Sequence, residues 1–317
     1  MADLLPRPDV SVIMTAYNVE SYIARAVESA LSQEGVSLEV LVADDASTDG
    51  TLGILSALAD PRLTVIRLPR NVGPGAARNA AIQRARGRWL AVLDGDDAFA
   101  AGRLARCVQR GNAENADIVV DNITVLQEKD GACFSMFPPA AFARGGSLDL
   151  GGFIDGNLSF MGGYAYGYLK PVFSAAFLQR EGLGYNADIR IGEDYLLFAE
   201  CLAQGAACRL EPTAGYIYTA RAGSISHRLR PRDIARISFR DKKFLKTYPL
   251  DPAATRAQQR RTRNLRDAFG FLLLVEALKH KRVAHALRAV RRAPFSARHL
   301  WRPAWSRLSR FMNKQTA

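Results

Sequence analysis

The chain reads as an α/β protein with a mostly parallel central sheet, followed by a basic helical extension. Three observations predict this. Short β-rich runs alternate with helical patterns through the first 125 residues, the order expected of a parallel sheet with crossover helices. Polar, acid-rich groups follow several of the apolar runs, at the strand ends where open α/β sheets hold ligands. Charge also divides sharply along the chain: residues 1 to 220 carry 18 Lys and Arg against 26 Asp and Glu, a net of −8, whereas residues 221 to 317 carry 25 against 5, a net of +20.

The strand candidates in order are "VSVIMT" (10 to 15), "LEVLVA" (38 to 43), "LTVIRL" (63 to 68), "WLAVL" (89 to 93) and "DIVVDNITV" (117 to 125). Helical patterns lie between them near Ser21 to Ser32, Thr51 to Ala59, Gly75 to Ala85 and Arg103 to Asn112. A Gly- and aromatic-rich stretch, 145 to 167, suits a tight or flexible loop at a site, or a plain surface loop. "PVFSAAFLQREG" then reads as a helix stopped by glycine, and "GEDYLLFAECLAQG" as a helix opened by two acids. Residues 231 to 292 read as basic amphipathic helices. The expected division is residues 1–228 for the α/β domain and 229–317 for the basic extension.

At 317 residues with 48% apolar composition, the chain has ample material for a core of its own. Its four cysteines show no metal-ligand spacing and no small secreted scaffold, which favours a reduced, cytoplasmic setting. No signal-peptide pattern and no run of about 18 apolar residues is present, so no membrane-spanning segment is expected. The +20 tail calls for an anionic partner, lipid or nucleic acid. No nucleic-acid module appears, so nucleic acid is not expected. "WRPAWSRLSRFMNK" instead places Trp301, Trp305, Leu308 and Phe311 on one helical face amid basic residues, a pattern that suits peripheral contact with an anionic membrane or packing on the protein's own core.

The sharpest local feature is "DGDD", Asp94 to Asp97, at the end of "WLAVL". Crowded carboxylates raise each other's pKa and repel, unless a cation or a donor-rich ligand sits among them. An acidic turn left in water is the plainer alternative. Thr15 to Asn18 and the pair Asp44 and Asp45 end two other strands, so all three groups converge on one crevice. The first strand–helix turn lacks both a dinucleotide fingerprint and a P-loop, so a phosphorylated ligand there would be held by a metal.

Taken together, "VSVIMTAYNVESYIARAVESALSQ", "VLVADDASTDGT", "NVGPGAARNAAIQRARGRWLAVLDGDD" and "IGEDYLLFAECLAQGA" resemble the family 2 glycosyltransferases of the GT-A fold, the nucleotide-diphospho-sugar transferase fold. The resemblance implies a D-x-D metal signature in "DGDD", with Asp96 as the ligand of Mg²⁺ or Mn²⁺ and Asp94 as a ribose or metal-water contact. Oxygen ligands of this type suit a hard dication bridging a sugar nucleotide's diphosphate. It further implies that Asp45 contacts the uracil ring, whose N3–H a carboxylate can accept. By the same resemblance Ala16 and Tyr17 cradle the base and Arg78 reaches the nucleotide. "GED" matches the family's E-D pair, which makes Asp194 the general base and gives Glu193 an orienting role toward the acceptor. "RAGSISHR" resembles the loop that closes over the diphosphate, with His227 and Arg228 as contacts. The implied function is inverting transfer of a single hexose, glucose from UDP-glucose, to a lipid-linked glycan acceptor, as in bacterial exopolysaccharide glucosyltransferases of the succinoglycan type. The Q-x-x-R-W motif of processive synthases is absent, since "QQRRTRNL" does not match it. A sugar-nucleotide-binding or scaffold protein of the same fold is the competing expectation.

Overall fold

A computed structural model describes residues 6–142, 146–159, 164–221 and 230–280. They fall into two compact units, Met1–Phe153 with Tyr166–Ser224 and Ile154–Ala165 with Ile225–Ala317.

The first unit is built on a nine-stranded mixed sheet, in the order β3-β2-β1-β4-β8-β6-β9-β5, with β7 paired to β6. Its first half is parallel: β1 (Val10–Ala16), β2 (Leu38–Asp44), β3 (Leu63–Arg67) and β4 (Trp89–Asp94) lie side by side in one direction. Every residue of β2 and all but one of β1 are buried. Strands covered on both faces read as continuous Val, Ile and Leu runs rather than alternating ones, which is why these segments stand out in the sequence.

The helices between them explain themselves by their apolar faces. α1 (Ile23–Leu31) buries Ile23, Ala26, Val27 and Ala30, a stripe at helical spacing. α2 (Thr51–Ala57) is short and buries Thr51 and Leu55. α3 (Pro74–Ile82) starts at a proline, whose missing N–H is no loss in a first turn. α4 (Arg103–Ala113) buries Leu104, Cys107, Val108 and Gly111. A Cβ on Gly111 would come within 2.4 Å of the Trp89 ring, so the helix approaches β4 this closely only with glycine there.

Beyond α4 the structure departs from the sequence expectation. "PVFSAAFLQREG" is not one helix: β8 (Val172–Ser174) runs antiparallel between β4 and β6 (Ile118–Gln127), and α6 (Ala175–Arg180) follows α5 (Leu150–Asp155) only after that strand. The Ser174 side chain caps α6 by accepting from the Phe177 N–H at 3.2 Å. β5 (Ala98–Phe99), β7 (Cys133–Ser135) and β9 (Cys208–Ala220) were also not expected. β9 carries "EPTAG" in its middle, a turn-like composition, and the pairing with β6 shifts register there, from Asp121 opposite Glu211 to Ile123 opposite Tyr216. α7 (Glu193–Ala203) forms as its composition predicts, opening with two acids in the first turn.

The second unit contains α8 (Pro231–Thr247) and α9 (Pro252–Lys279), the basic helices expected from the sequence. Ile234, Leu265 and Ala268 form its small apolar core. A buried polar set surrounds it: Arg261 pairs with Asp241 at 2.8 Å and donates to the Asn157 carbonyl at 2.9 Å, while Asn264 exchanges hydrogen bonds with the backbone of Ser159. Among the described residues no helix is long and apolar enough to cross a membrane.

Candidate active site

The site lies at the C-terminal edge of the parallel strands. Ala16 pairs in register with Asp44, so Tyr17 and Asp45 leave β1 and β2 side by side. Ala16 is buried and its carbonyl accepts from the Asp45 N–H at 2.8 Å, whereas Tyr17 is exposed. The two loops are then stitched together. Asn18, at φ 52, accepts from the Thr48 N–H at 2.8 Å, and Glu20 accepts from Gly50 N–H at 2.6 Å. Asp45 is buried and gives both carboxylate oxygens to backbone amides, Val72 at 2.7 Å and Gly73 at 2.9 Å. Those amides stand at the start of α3, so Asp45 fixes where that helix begins. Asp44 accepts from Ser47 N–H at 3.2 Å through one oxygen, while its other oxygen is buried without a hydrogen-bond partner among the described residues.

The "DGDD" residues separate into three roles. Asp97 is buried, accepting from the Tyr216 hydroxyl at 2.7 Å and the Thr219 N–H at 2.8 Å; it ties the strand end to β9. Burial pushes its carboxyl well above the usual range, with the Asp96 and Asp94 charges adding to the rise. Asp96 is partly exposed and pairs with Arg221 at 2.8 Å. Burial and then the neighbouring Asp94 charge raise its carboxyl despite that pairing. Gly95 permits the crowding, since a Cβ there would meet the Thr15 carbonyl oxygen at 2.8 Å.

Asp94 belongs to a different group. Its Oδ1 accepts from Arg78 at 2.6 Å and its Oδ2 from Lys170 Nζ at 2.8 Å. The same two cations hold Asp194, Arg78 at Oδ1 (3.0 Å) and Lys170 at Oδ2 (2.9 Å). The result is a closed ring of two carboxylates and two cations, drawn from β4, α3, the segment just before β8 and the N-terminus of α7. Arg78 also donates to Glu193 at 3.0 Å and lies over the Tyr185 ring at 5.1 Å. Burial works to raise the Asp94 carboxyl, but the Lys170 and Arg78 charges outweigh it and hold it well below the usual carboxylate range. Glu193 moves the other way, raised first by burial and then by the adjacent Asp194 charge. α7 can begin here because Gly192 stands at φ 88, a left-handed conformation open to glycine and strained for other residues.

The structure thus brings together Asp94, Arg78, Glu193 and Asp194, and places Ala16, Tyr17 and Asp45 on the neighbouring strand ends. His227 and Arg228 lie outside the described residues, as does the Trp301 to Phe311 face and part of the 145–167 stretch. The sequence motifs do not single out Lys170, whose local signal is one cation in the apolar run "LKPVF", and they give no role to Arg221, the first residue of "RAGSISHR".

The fold and this site define a GT-A glycosyltransferase. The glycosyl transferase family 2 profile matches residues 11–175, and the chain belongs to that family. It is 47% identical over 303 residues to the succinoglycan biosynthesis protein ExoO of Rhizobium meliloti, covering 96% of this chain and 87% of that one. It is 30% identical over 220 residues to WfaP of Escherichia coli, named as a UDP-Glc:alpha-D-GlcNAc-diphosphoundecaprenol beta-1,3-glucosyltransferase, covering 68% of this chain and 79% of that one. Among solved structures, S. aureus TarS in complex with UDP-GlcNAc superimposes with a TM-score of 0.65 at 20% identity, over 89% of this chain and 90% of that one. The protein is an enzyme that transfers a glycosyl group.

Proposed function

We propose that the protein is an inverting, metal-assisted transferase that moves one glucose from UDP-glucose onto a lipid-linked glycan acceptor in exopolysaccharide assembly. The observation that carries this reading is the ring joining Asp94 at the end of β4 to Asp194 at the start of α7. It unites a nucleotide-side carboxylate with a carboxylate able to take a proton, and a single displacement needs both on one crevice. The names of ExoO and WfaP support the pathway, the donor and the lipid-linked acceptor.

In this reading Tyr17 stacks on the uracil and Asp45 accepts its N3–H, using a lone pair left over from the Val72 and Gly73 amides. Ala16 lines the same cradle, and Asp94 contacts the ribose. Arg78 serves the nucleotide site through Asp94 rather than by reaching the nucleotide itself. Asp194 takes the acceptor hydroxyl's proton as that oxygen attacks the anomeric carbon opposite the departing UDP. Glu193 orients the acceptor, and His227 and Arg228 contact the diphosphate.

The donor set fits Mg²⁺ or Mn²⁺ at Asp96. Its carboxylate, like that of Asp94, is partly exposed, but Asp94 is taken up at both oxygens by Arg78 and Lys170, whereas Arg221 meets Asp96 at Oδ2. Among the described residues no group of three His, Cys, Asp or Glu could hold a metal, so the protein would supply a single carboxylate and the diphosphate the remaining oxygens. Bound there, the dication offsets charge building on the leaving diphosphate. Asp96→Asn is expected to lower metal-dependent turnover on the order of 10²-fold or more.

The test is a panel of UDP-sugars scored for UDP release with and without Mn²⁺. Release from UDP-glucose above the other sugars, abolished by chelation, is the expected result. Metal-independent release overturns the metal assignment, preference for another sugar overturns glucose, and binding without turnover makes the protein a sugar-nucleotide binder.

A lipid-linked acceptor places the reaction at the cytoplasmic face of a membrane. Support comes from α8, where exposed Arg232, Arg236, Phe239, Lys243 and Lys246 recur at intervals of four and three residues along one line. Co-sedimentation with anionic vesicles that weakens as salt rises is expected. Equal binding to neutral vesicles would remove the electrostatic basis for it.

A further inference from the structure

Lys170 is a buried cation that no sequence motif accounts for. Its side chain is only 8% exposed, and its ammonium bridges Asp94 at 2.8 Å and Asp194 at 2.9 Å. A buried ammonium is costly unless it is paired, so its position is set by those two carboxylates and not by packing alone. Its backbone is anchored separately. The Lys170 carbonyl accepts from Arg103 at 2.6 Å, and Arg103 is itself buried in an ion pair with Asp121 at 2.8 Å and lies over the Phe99 ring at 4.6 Å. The support beneath Lys170 therefore does not depend on the Lys170 side chain.

The pairing also fixes Asp194. A carboxylate held at one oxygen can still rotate about its last side-chain bond. Asp194 is held at both, Oδ1 by Arg78 and Oδ2 by Lys170. Arg78 is shared among three carboxylates, so Lys170 is the partner that ties Asp194 to Asp94 from the opposite side.

We propose that Lys170 is a positioning residue for glycosyl transfer: by bridging Asp94 and Asp194 it sets the distance and orientation of the proton-accepting carboxylate relative to the bound donor. This rests on the reading of Asp194 as the base. Lys170 acts through Asp194, so its loss lowers turnover while leaving nucleotide binding in place. Misplacing a reacting group by about 1 Å can cost on the order of 10² in rate.

The experiment is a double-mutant cycle on the full chain, with Lys170→Met, Asp194→Asn and the double variant. Turnover is read as UDP release from the UDP-sugar that the wild type hydrolyses fastest, and nucleotide binding by calorimetry with UDP. Lys170→Met is expected to lower kcat by about 10²-fold, to bind UDP within a few-fold of wild type, and to cost nothing further once Asp194 is Asn. Lys170→Arg, which keeps a cation, guards against misfolding of the Met variant and is expected to recover part of kcat. Additive losses in the double variant overturn the proposal, because Lys170 would then act independently of Asp194. Loss of UDP binding in Lys170→Met or Lys170→Arg with unchanged stability also overturns it and makes Lys170 a nucleotide contact. Normal turnover by Asp194→Asn alone is a different outcome, which removes the base assignment while the Lys170 arms report separately.

Discussion

Two strands of the parallel half end in crowded acids, and the protein compensates them in opposite ways. After β2, Asp45 gives both oxygens to the amides of Val72 and Gly73, and Asp44 gives one oxygen to the amide of Ser47. After β4, Asp94 is satisfied by Arg78 and Lys170, and Asp96 by Arg221. Amides are fixed partial charges in the backbone, so the β2 acids hold a loop in shape. Guanidinium and ammonium groups neutralise their partners and sit on side chains that can redistribute. The β2 end is thus held by rigid backbone donors and the β4 end by charged side chains.

The comparison breaks first at Asp194. Asp194→Asn is expected to lose on the order of 10² to 10⁴ in kcat, because the amide cannot take the acceptor proton, with UDP affinity close to wild type. A variant whose defect is confined to UDP binding would move Asp194 to the cradle side of the divide.

Arg78→Met sharpens the contrast from the stability side. Removing the shared cation leaves Asp94, Glu193 and Asp194 with Lys170 as the remaining cation of the ring. Breaking a buried pair from one side typically costs about 3–5 kcal/mol, which urea denaturation would resolve. A loss below about 1 kcal/mol would mean that the ring is energetically a surface ion pair.

At the β2 end a smaller effect is expected. Asp45→Ala removes two charge-assisted bonds to amides at the start of α3, for a cost of about 2–3 kcal/mol, and raises the KM for UDP-sugar with little change in kcat. An unchanged KM would leave Asp45 as a purely structural acid.

The smallest effect belongs to Glu39 near the start of β2, a carboxylate at the opposite end of the strand from the site. Burial raises it, but the Ser11 hydroxyl at 2.6 Å, the Arg86 N–H at 2.7 Å and the Arg86 guanidinium at 2.8 Å outweigh burial and lower its pKa. A depressed carboxyl contributes stability that is present above its unfolded value of about 4.3 and is lost as pH falls through its folded value. Glu39→Gln should therefore cost about 1–2 kcal/mol near neutrality, and the difference should shrink as the solution is made acidic. A difference that stays constant with pH would show that packing, not charge, holds the site.

The amino-acid order alone settles a good deal of this protein. β1 to β4 are legible because strands buried on both faces must be apolar throughout, and the helices between them because their buried residues recur at helical spacing. The acids at the ends of β2 and β4 are legible too, because each group follows directly on an apolar run. What the order leaves open is how those carboxylates are compensated. "LKPVF" gives no local reason for its cation to meet Asp94, and Arg78 and Asp194 are 116 residues apart. β8 escapes notice because three residues are too few to show a period, and β9 because its central "EPTAG" reads as a turn, with the pairing to β6 resuming beyond it at Tyr216. Charge compensation and strand pairing are relations between distant segments, set by where the folded chain places a partner, so the tertiary structure decides them.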